Sequence, residues 1–251
     1  MNTTQWTRIK GARCELVKAG SAPIAVAVAV VAKARDPVGT VMLVHGRNGA
    51  PDQPHIAEIA RTYLSLGWRV AAPELPHSAA TPGSGPADQL TLASQRDVGR
   101  QILAWVRSVW PETPVALAGH SLGGFTVGTL SAGDAGLHHV LAVSPVLSGR
   151  RLLEARQALG PQAMAELERE APLYRKELET ADITDCLGTA PAPVAVVTGS
   201  EDGLVTIDHA RAYFQAARNA AFFATLPGQH HCPVGPACAA MLAAALAAVG
   251  A

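Results

Sequence analysis

Apolar and polar positions follow two different periods along this chain. From residue 24 the run IAVAVAVVA repeats every second position, the period of a strand whose side chains point alternately up and down. With RIKGARCELVKAG before it and Ser21-Ala22-Pro23 between, the pattern predicts a hairpin over 8–20 and 24–34. TVMLVHG (40–46) is instead a continuous apolar run closed by glycine, as expected of a strand buried on both faces. In QPHIAEIARTYLSLG (53–67), Ile56, Ile59, Ala60, Tyr63 and Leu64 recur at helical spacing, with Gly67 as a stop.

The same alternation continues. WRVAAP (68–73) reads as a strand, a Pro/Gly/Ser-rich loop follows from Glu74 to Pro86, and DQLTLASQRDVGRQILAWVRSVW (88–110) is a long amphipathic helix. PVALAGHS (114–121), HHVLAVSP (138–145), PVAVVTGSED (193–202) and AAFFATLPG (220–228) are further strands. Helices are expected from Leu122, over about 206–219 and from Pro236. Strands alternating with helices imply right-handed crossovers and a mainly parallel sheet covered on both faces. Residues 148–190 break the alternation. They hold three short helical patterns, separated at Gly160-Pro161 and Ala171-Pro172, with no strand. Residues 1–251 are expected to form one α/β domain with 148–190 as a small helical cap.

Composition narrows the function classes. Hydrophobic residues make up 49% and charged residues 16% of the 251, enough for a sizeable core. Twenty basic residues balance twenty acidic ones, and no basic stripe points to nucleic acid. The longest apolar runs, 24–32 and 239–249, fall short of the ~20 residues that cross a bilayer. The N-terminal residues lack the pattern of a signal peptide, so a cytoplasmic location is expected. Cys14, Cys186, Cys232 and Cys238 form no CxxC pair; HHC (230–232) with Cys238 lacks the second ligand pair of a zinc site, so no metal is expected.

One stretch carries chemistry. In VALAGHSLGGFTVG (115–128) a strand ends at Gly119, Ser121 follows, and a helix begins after it. Gly119-His120-Ser121-Leu122-Gly123 fits G-x-S-x-G, in which a sharp strand-to-helix turn presents the middle side chain at the carboxyl edge of a sheet. A serine hydroxyl needs a base to take its proton and an acid to orient that base. Two later strand ends supply both types: a loop with Glu201 and Asp202, and a loop with His230 and His231. The chain order serine, acid, histidine is the one expected of this architecture.

On LVHGRNG (43–49), GHSLGG (119–124), GSEDGLV (199–205) and LPGQHHCP (226–233), the chain resembles the α/β-hydrolase superfamily over nearly its whole length. The resemblance implies an eight-stranded, mostly parallel sheet and a cofactor-free serine hydrolase acting on a small carboxylic ester, thioester or amide through an acyl-enzyme. The family spacing G-x-x-D-x-x-V selects Asp202 over Glu201, and G-x-x-H selects His231 over His230. The backbone N–H groups of Arg47 and Leu122 are the implied oxyanion donors. The Arg47 side chain, free to pair with an anionic substrate group or stay solvated, and His77 are candidate substrate contacts. His45, His120, His138 and His139 read as structural. Lyase chemistry on the same triad, or a binding module that has lost catalysis, remain alternatives.

Overall fold

A computed structural model describes residues 13–19, 22–30, 36–81 and 83–251. The strands are β1 (Arg13–Ala19), β2 (Ala22–Ala29), β3 (Thr40–Val44), β4 (Arg69–Pro73), β5 (Val115–His120), β6 (Leu137–Val143), β7 (Val194–Gly199) and β8 (Ala220–Leu226). They form one sheet in the order β1-β2-β4-β3-β5-β6-β7-β8. From β4 to β8 all neighbours are parallel, while β1 and β2 add an antiparallel edge. The expected hairpin is present, with Ala22 and Pro23 inside β2 and not in its turn. The parts of that expectation on residues 8–12, 20–21 and 31–34 lie outside the described residues.

The continuous apolar runs follow from helices on both faces. On one face α1 (Pro54–Ser65) and α9 (Pro236–Ala248) cover Val41, Leu43, Ala116, Ala118, Leu141, Ala195 and Val197. The alternate residues Met42, Val44, Leu117, Val140, Ala142, Val194 and Val196 face α2 (Leu92–Val109), α3 (Leu122–Leu130) and α8 (Ile207–Ala216). A Thr91 capping box starts α2, where Thr91 Oγ1 accepts from the Ser94 N–H at 3.0 Å.

Between β6 and β7 the expected breaks at Gly160-Pro161 and Ala171-Pro172 hold, but four helices form where three were expected. They are α4 (Gly149–Ala158), α5 (Pro161–Glu170), α6 (Pro172–Glu177) and α7 (Thr184–Thr189). Six residues are too few for an amphipathic period to show, which hid α7. Leu152, Leu167, Tyr174, Leu178, Ile183 and Leu187 are buried in the same core as the α2 face. The segment's ends are pinned together: Gly149 N–H donates to the Ala181 carbonyl at 2.8 Å and Ile183 N–H to that of Leu147 at 3.1 Å. A Cβ on Gly149 would collide with the Leu178 backbone, so glycine is required at this approach. Among the described residues, no helix is long and apolar enough to cross a membrane.

Candidate functional site

At the end of β5 the chain reverses into α3 through one strained residue. Ser121 has φ 55°, a left-handed conformation that a non-glycine side chain adopts at a cost. The surrounding backbone holds it there. Its N–H donates to the Val143 carbonyl at 3.0 Å, and its carbonyl accepts from Gly124 at 2.9 Å and from Val146 at 3.2 Å. A Cβ on Gly119 would strike the Gly123 carbonyl carbon and oxygen, and one on Gly123 would strike the Val44 carbonyl. That pair of glycines lets strand, turn and helix close on each other.

Two loops bring the partners. Glu201 N–H donates to the Gln229 carbonyl at 2.9 Å and Gly228 N–H to Ser200 Oγ at 3.0 Å, which ties the loops after β7 and β8 together. His231 Nδ1 lies 2.8 Å from Asp202 Oδ2, and its Nε2 lies 2.9 Å from Ser121 Oγ. An ionised carboxylate only accepts, so Nδ1 carries the proton and Nε2 is left to accept from the serine hydroxyl. The other Asp202 oxygen accepts from the N–H groups of Leu204 and Val205 at 2.9 and 2.8 Å. Burial pushes the Asp202 carboxyl up, but His231 and these two donors outweigh it and hold it below the usual carboxylate value. His230 stands apart: its Nδ1 meets the Glu201 carbonyl at 3.0 Å, and its side chain is mostly exposed.

The loop after β3 forms the opposite wall. A Cβ on Gly46 would lie 3.0 Å from Ser121 Cβ, so the backbone at Gly46 and Arg47 runs beside the serine. Among the described residues neither the Arg47 nor the Leu122 backbone N–H has a hydrogen-bond partner. The Arg47 side chain does not reach toward the serine. It donates to Glu170 of α5 at 3.1 Å, and that hydrogen bond holds the Glu170 carboxyl below its ordinary range. His77, at φ 61°, pairs through Nδ1 with the Pro86 carbonyl at 2.9 Å. With Arg47, Leu122 and Gln95 it lines a crevice of about 160 Å³ beside the serine turn. By the same measure a larger, open groove of about 790 Å³ is lined by Ser148, Arg151 and Asp182 among others, and neither space is lined by Ser121, Asp202 or His231.

The buried histidines around the site have separate tasks. His45 accepts from Leu75 N–H through Nε2 and meets the Gly46 carbonyl through Nδ1, and burial lowers its pKa to about 4. His120 Nε2 donates to the His231 carbonyl at 2.8 Å, a bond that seats the histidine loop. Reading the sequence did not single out His55. Its ring packs against that of His120 with centroids 4.4 Å apart, and burial, followed by the charges of His231 and His45, lowers its pKa to about 4. The signal was a polar residue on the buried face of α1. Cys238 is buried on α9, while Cys232 is exposed and lies near His55 and His120, so the grouping of HHC with Cys238 does not form.

Solved structures share this architecture. Est1E from Butyrivibrio proteoclasticus with ferulic acid bound is 16% identical, with a TM-score of 0.76 over 92% of this chain and 96% of that one. An α/β serine hydrolase without lid from Xanthomonas campestris is 16% identical, with a TM-score of 0.70 over 96% and 94%. The chain has the α/β-hydrolase fold. The esterase domain of a Rhodothermus marinus protein superposes with a TM-score of 0.66 at 18% identity, covering 94% of this chain and 97% of its own. No protein-family model matches the sequence, and no curated protein matches it either.

Proposed function

We propose that the protein is a serine hydrolase that cleaves a small carboxylic ester, or a related thioester or amide, through an acyl-enzyme on Ser121. The observation that carries this reading is the unbroken hydrogen-bond chain from Asp202 through His231 to Ser121, ending on a residue held at φ 55°. The esterase and serine hydrolase among the structural neighbours support it. Ser121 Oγ attacks the substrate carbonyl carbon while His231 Nε2 takes its proton. Asp202 orients the imidazole and stabilises the imidazolium that forms. His231 then protonates the leaving group, and water, activated by the same histidine, releases the acid.

The negative charge on the tetrahedral oxygen needs donors already in place. The Arg47 and Leu122 N–H groups flank the serine without other partners and serve as that hole. With its side chain held by Glu170, Arg47 contributes through its backbone, and α5 is fastened over the loop that bears it. The helices of 148–190 thus act as a small cap that shapes the substrate pocket. The test is a panel of p-nitrophenyl esters of increasing acyl length, assayed with the wild type and Ser121→Ala. Turnover of at least one ester, reduced about 10⁴-fold or more by the substitution, is expected. Equal turnover by Ser121→Ala would end this reading.

A further inference from the structure

His55, in the first turn of α1, poses a problem that hydrolysis does not solve. The residue is 8% exposed and its ring nitrogens, which keep contact with solvent, have no hydrogen-bond partner among the described residues. His120, 3% exposed, uses Nε2 on the His231 carbonyl, while its Nδ1 is buried with no partner. Buried polar groups are almost always paired, so the orphaned His120 Nδ1, with the His55 ring 4.4 Å away, calls for a partner. A third donor stands beside them. A nitrogen from each of the two rings and Cys232 Sγ all lie within 4.8 Å of one another.

We propose that His55, His120 and Cys232 form a three-ligand site for a thiophilic divalent cation, Zn²⁺ by chemical class. Two imidazoles and a thiolate suit zinc and exclude hard ions such as Mg²⁺ and Ca²⁺, which take oxygen ligands. Tetrahedral zinc, with bonds of about 2.0–2.3 Å, separates its donors by about 3.3–3.6 Å. Side-chain rotation of the three donors, already within 4.8 Å of one another, would close the remaining gap. The bond from His120 to the His231 carbonyl is the outer contact that orients a metal-bound imidazole. Cys232 gives up its thiol proton to solvent on binding, and water takes the fourth position on the open side.

The site joins three segments far apart in sequence: the first turn of α1, the end of β5 and the loop after β8. None of its ligands belongs to the hydrogen-bond chain of Ser121, His231 and Asp202. The proposal therefore stands independently of the hydrolase reading. An ion bound only by the folded arrangement stabilises it by mass action, so added zinc raises the melting temperature.

The experiment is a Co²⁺ titration of the intact, chelator-treated chain, followed by absorbance, with Zn²⁺ as competitor. One equivalent bound, with a thiolate-to-cobalt charge-transfer band that Zn²⁺ abolishes, is expected. Cys232→Ser, a change at an exposed position that keeps the fold by circular dichroism, removes the band. His55→Gln weakens binding by roughly 10- to 100-fold or more, since losing a ligand costs at least as much as losing an outer contact. His230→Gln, at the exposed neighbour, leaves both unchanged. No band at excess Co²⁺ overturns the proposal. So does a band that survives Cys232→Ser, is indifferent to His55→Gln or disappears in His230→Gln.

Discussion

Helix α1 carries a polar cluster at each end, and the two clusters sit at opposite edges of the sheet. At the amino edge, Tyr63 OH meets His139 Nε2 at 2.8 Å, His139 Nδ1 meets His138 Nδ1 at 2.8 Å, and the Trp68 ring stands edge-on to both histidines. At the carboxyl edge stand His55, His120 and His231. Burial does not separate the two. His139 is driven to a pKa of about 3, further than His55, with no chemistry in reach. Backbone strain does separate them. The non-glycine residues with positive φ among those described are Asn48, His77, Ser121 and Ser144, and each follows the end of one of the strands β3 to β6. A depressed histidine pKa reports burial; strain held in place by surrounding hydrogen bonds marks the edge that carries the candidate site.

Changes at each edge should therefore register in different measurements. The largest effect is expected from Asp202→Asn, which reverses the His231 tautomer and lowers kcat by about 10⁴-fold while the circular dichroism spectrum is retained. A smaller loss would dissolve the contrast between the edges.

Acid should affect both edges together. His45, His55 and His209 are lowered to about 4 and His139 to about 3 from an ordinary value of 6.5. Below that value the unfolded chain takes up protons that the fold refuses, so stability is complete above it and falls as the pH drops toward 4. Each such histidine contributes up to about 1.4 kcal/mol per pH unit, and Asp202 adds a further loss at lower pH. Urea unfolding at pH 7, 6 and 5 measures the slope, and His139→Gln should make it shallower.

Tyr63→Phe tests the amino edge alone. It leaves a buried His139 nitrogen unpaired and should cost about 1–3 kcal/mol in urea unfolding, with kcat unchanged. The smallest effect is expected from Arg47→Met. The backbone donor survives and only a partly exposed ion pair is lost, so the stability change stays below about 1 kcal/mol. Relative rates on neutral and anionic esters should not move. A changed preference would show that the side chain leaves Glu170 to meet substrate.

The sheet was legible because its period is two and both faces are covered, so each strand reads as an apolar run ended by a turn. The serine turn was legible because tight packing around Ser121 admits only glycine at 119 and 123. The side-chain pairings across long separations were not. Arg47 and Glu170 lie 123 positions apart, and nothing in either local pattern indicates that α5 closes over the loop after β3. His55 was hidden for a related reason: a histidine on an otherwise apolar helix face looks like any tolerated core residue until His120 and Cys232 are seen beside it. Of the two histidines in the loop after β8, the contact between the loops turns His230 toward Glu201 and leaves His231 between Asp202 and Ser121.

The most direct test of an activated serine is covalent and needs no knowledge of the substrate. A fluorophosphonate added to the folded chain, followed by intact-mass and peptide mass spectrometry, should give one adduct on Ser121. That adduct should be absent in Ser121→Ala and slowed by orders of magnitude in His231→Ala. A folded protein with no adduct, or one modified at another residue, would contradict the account.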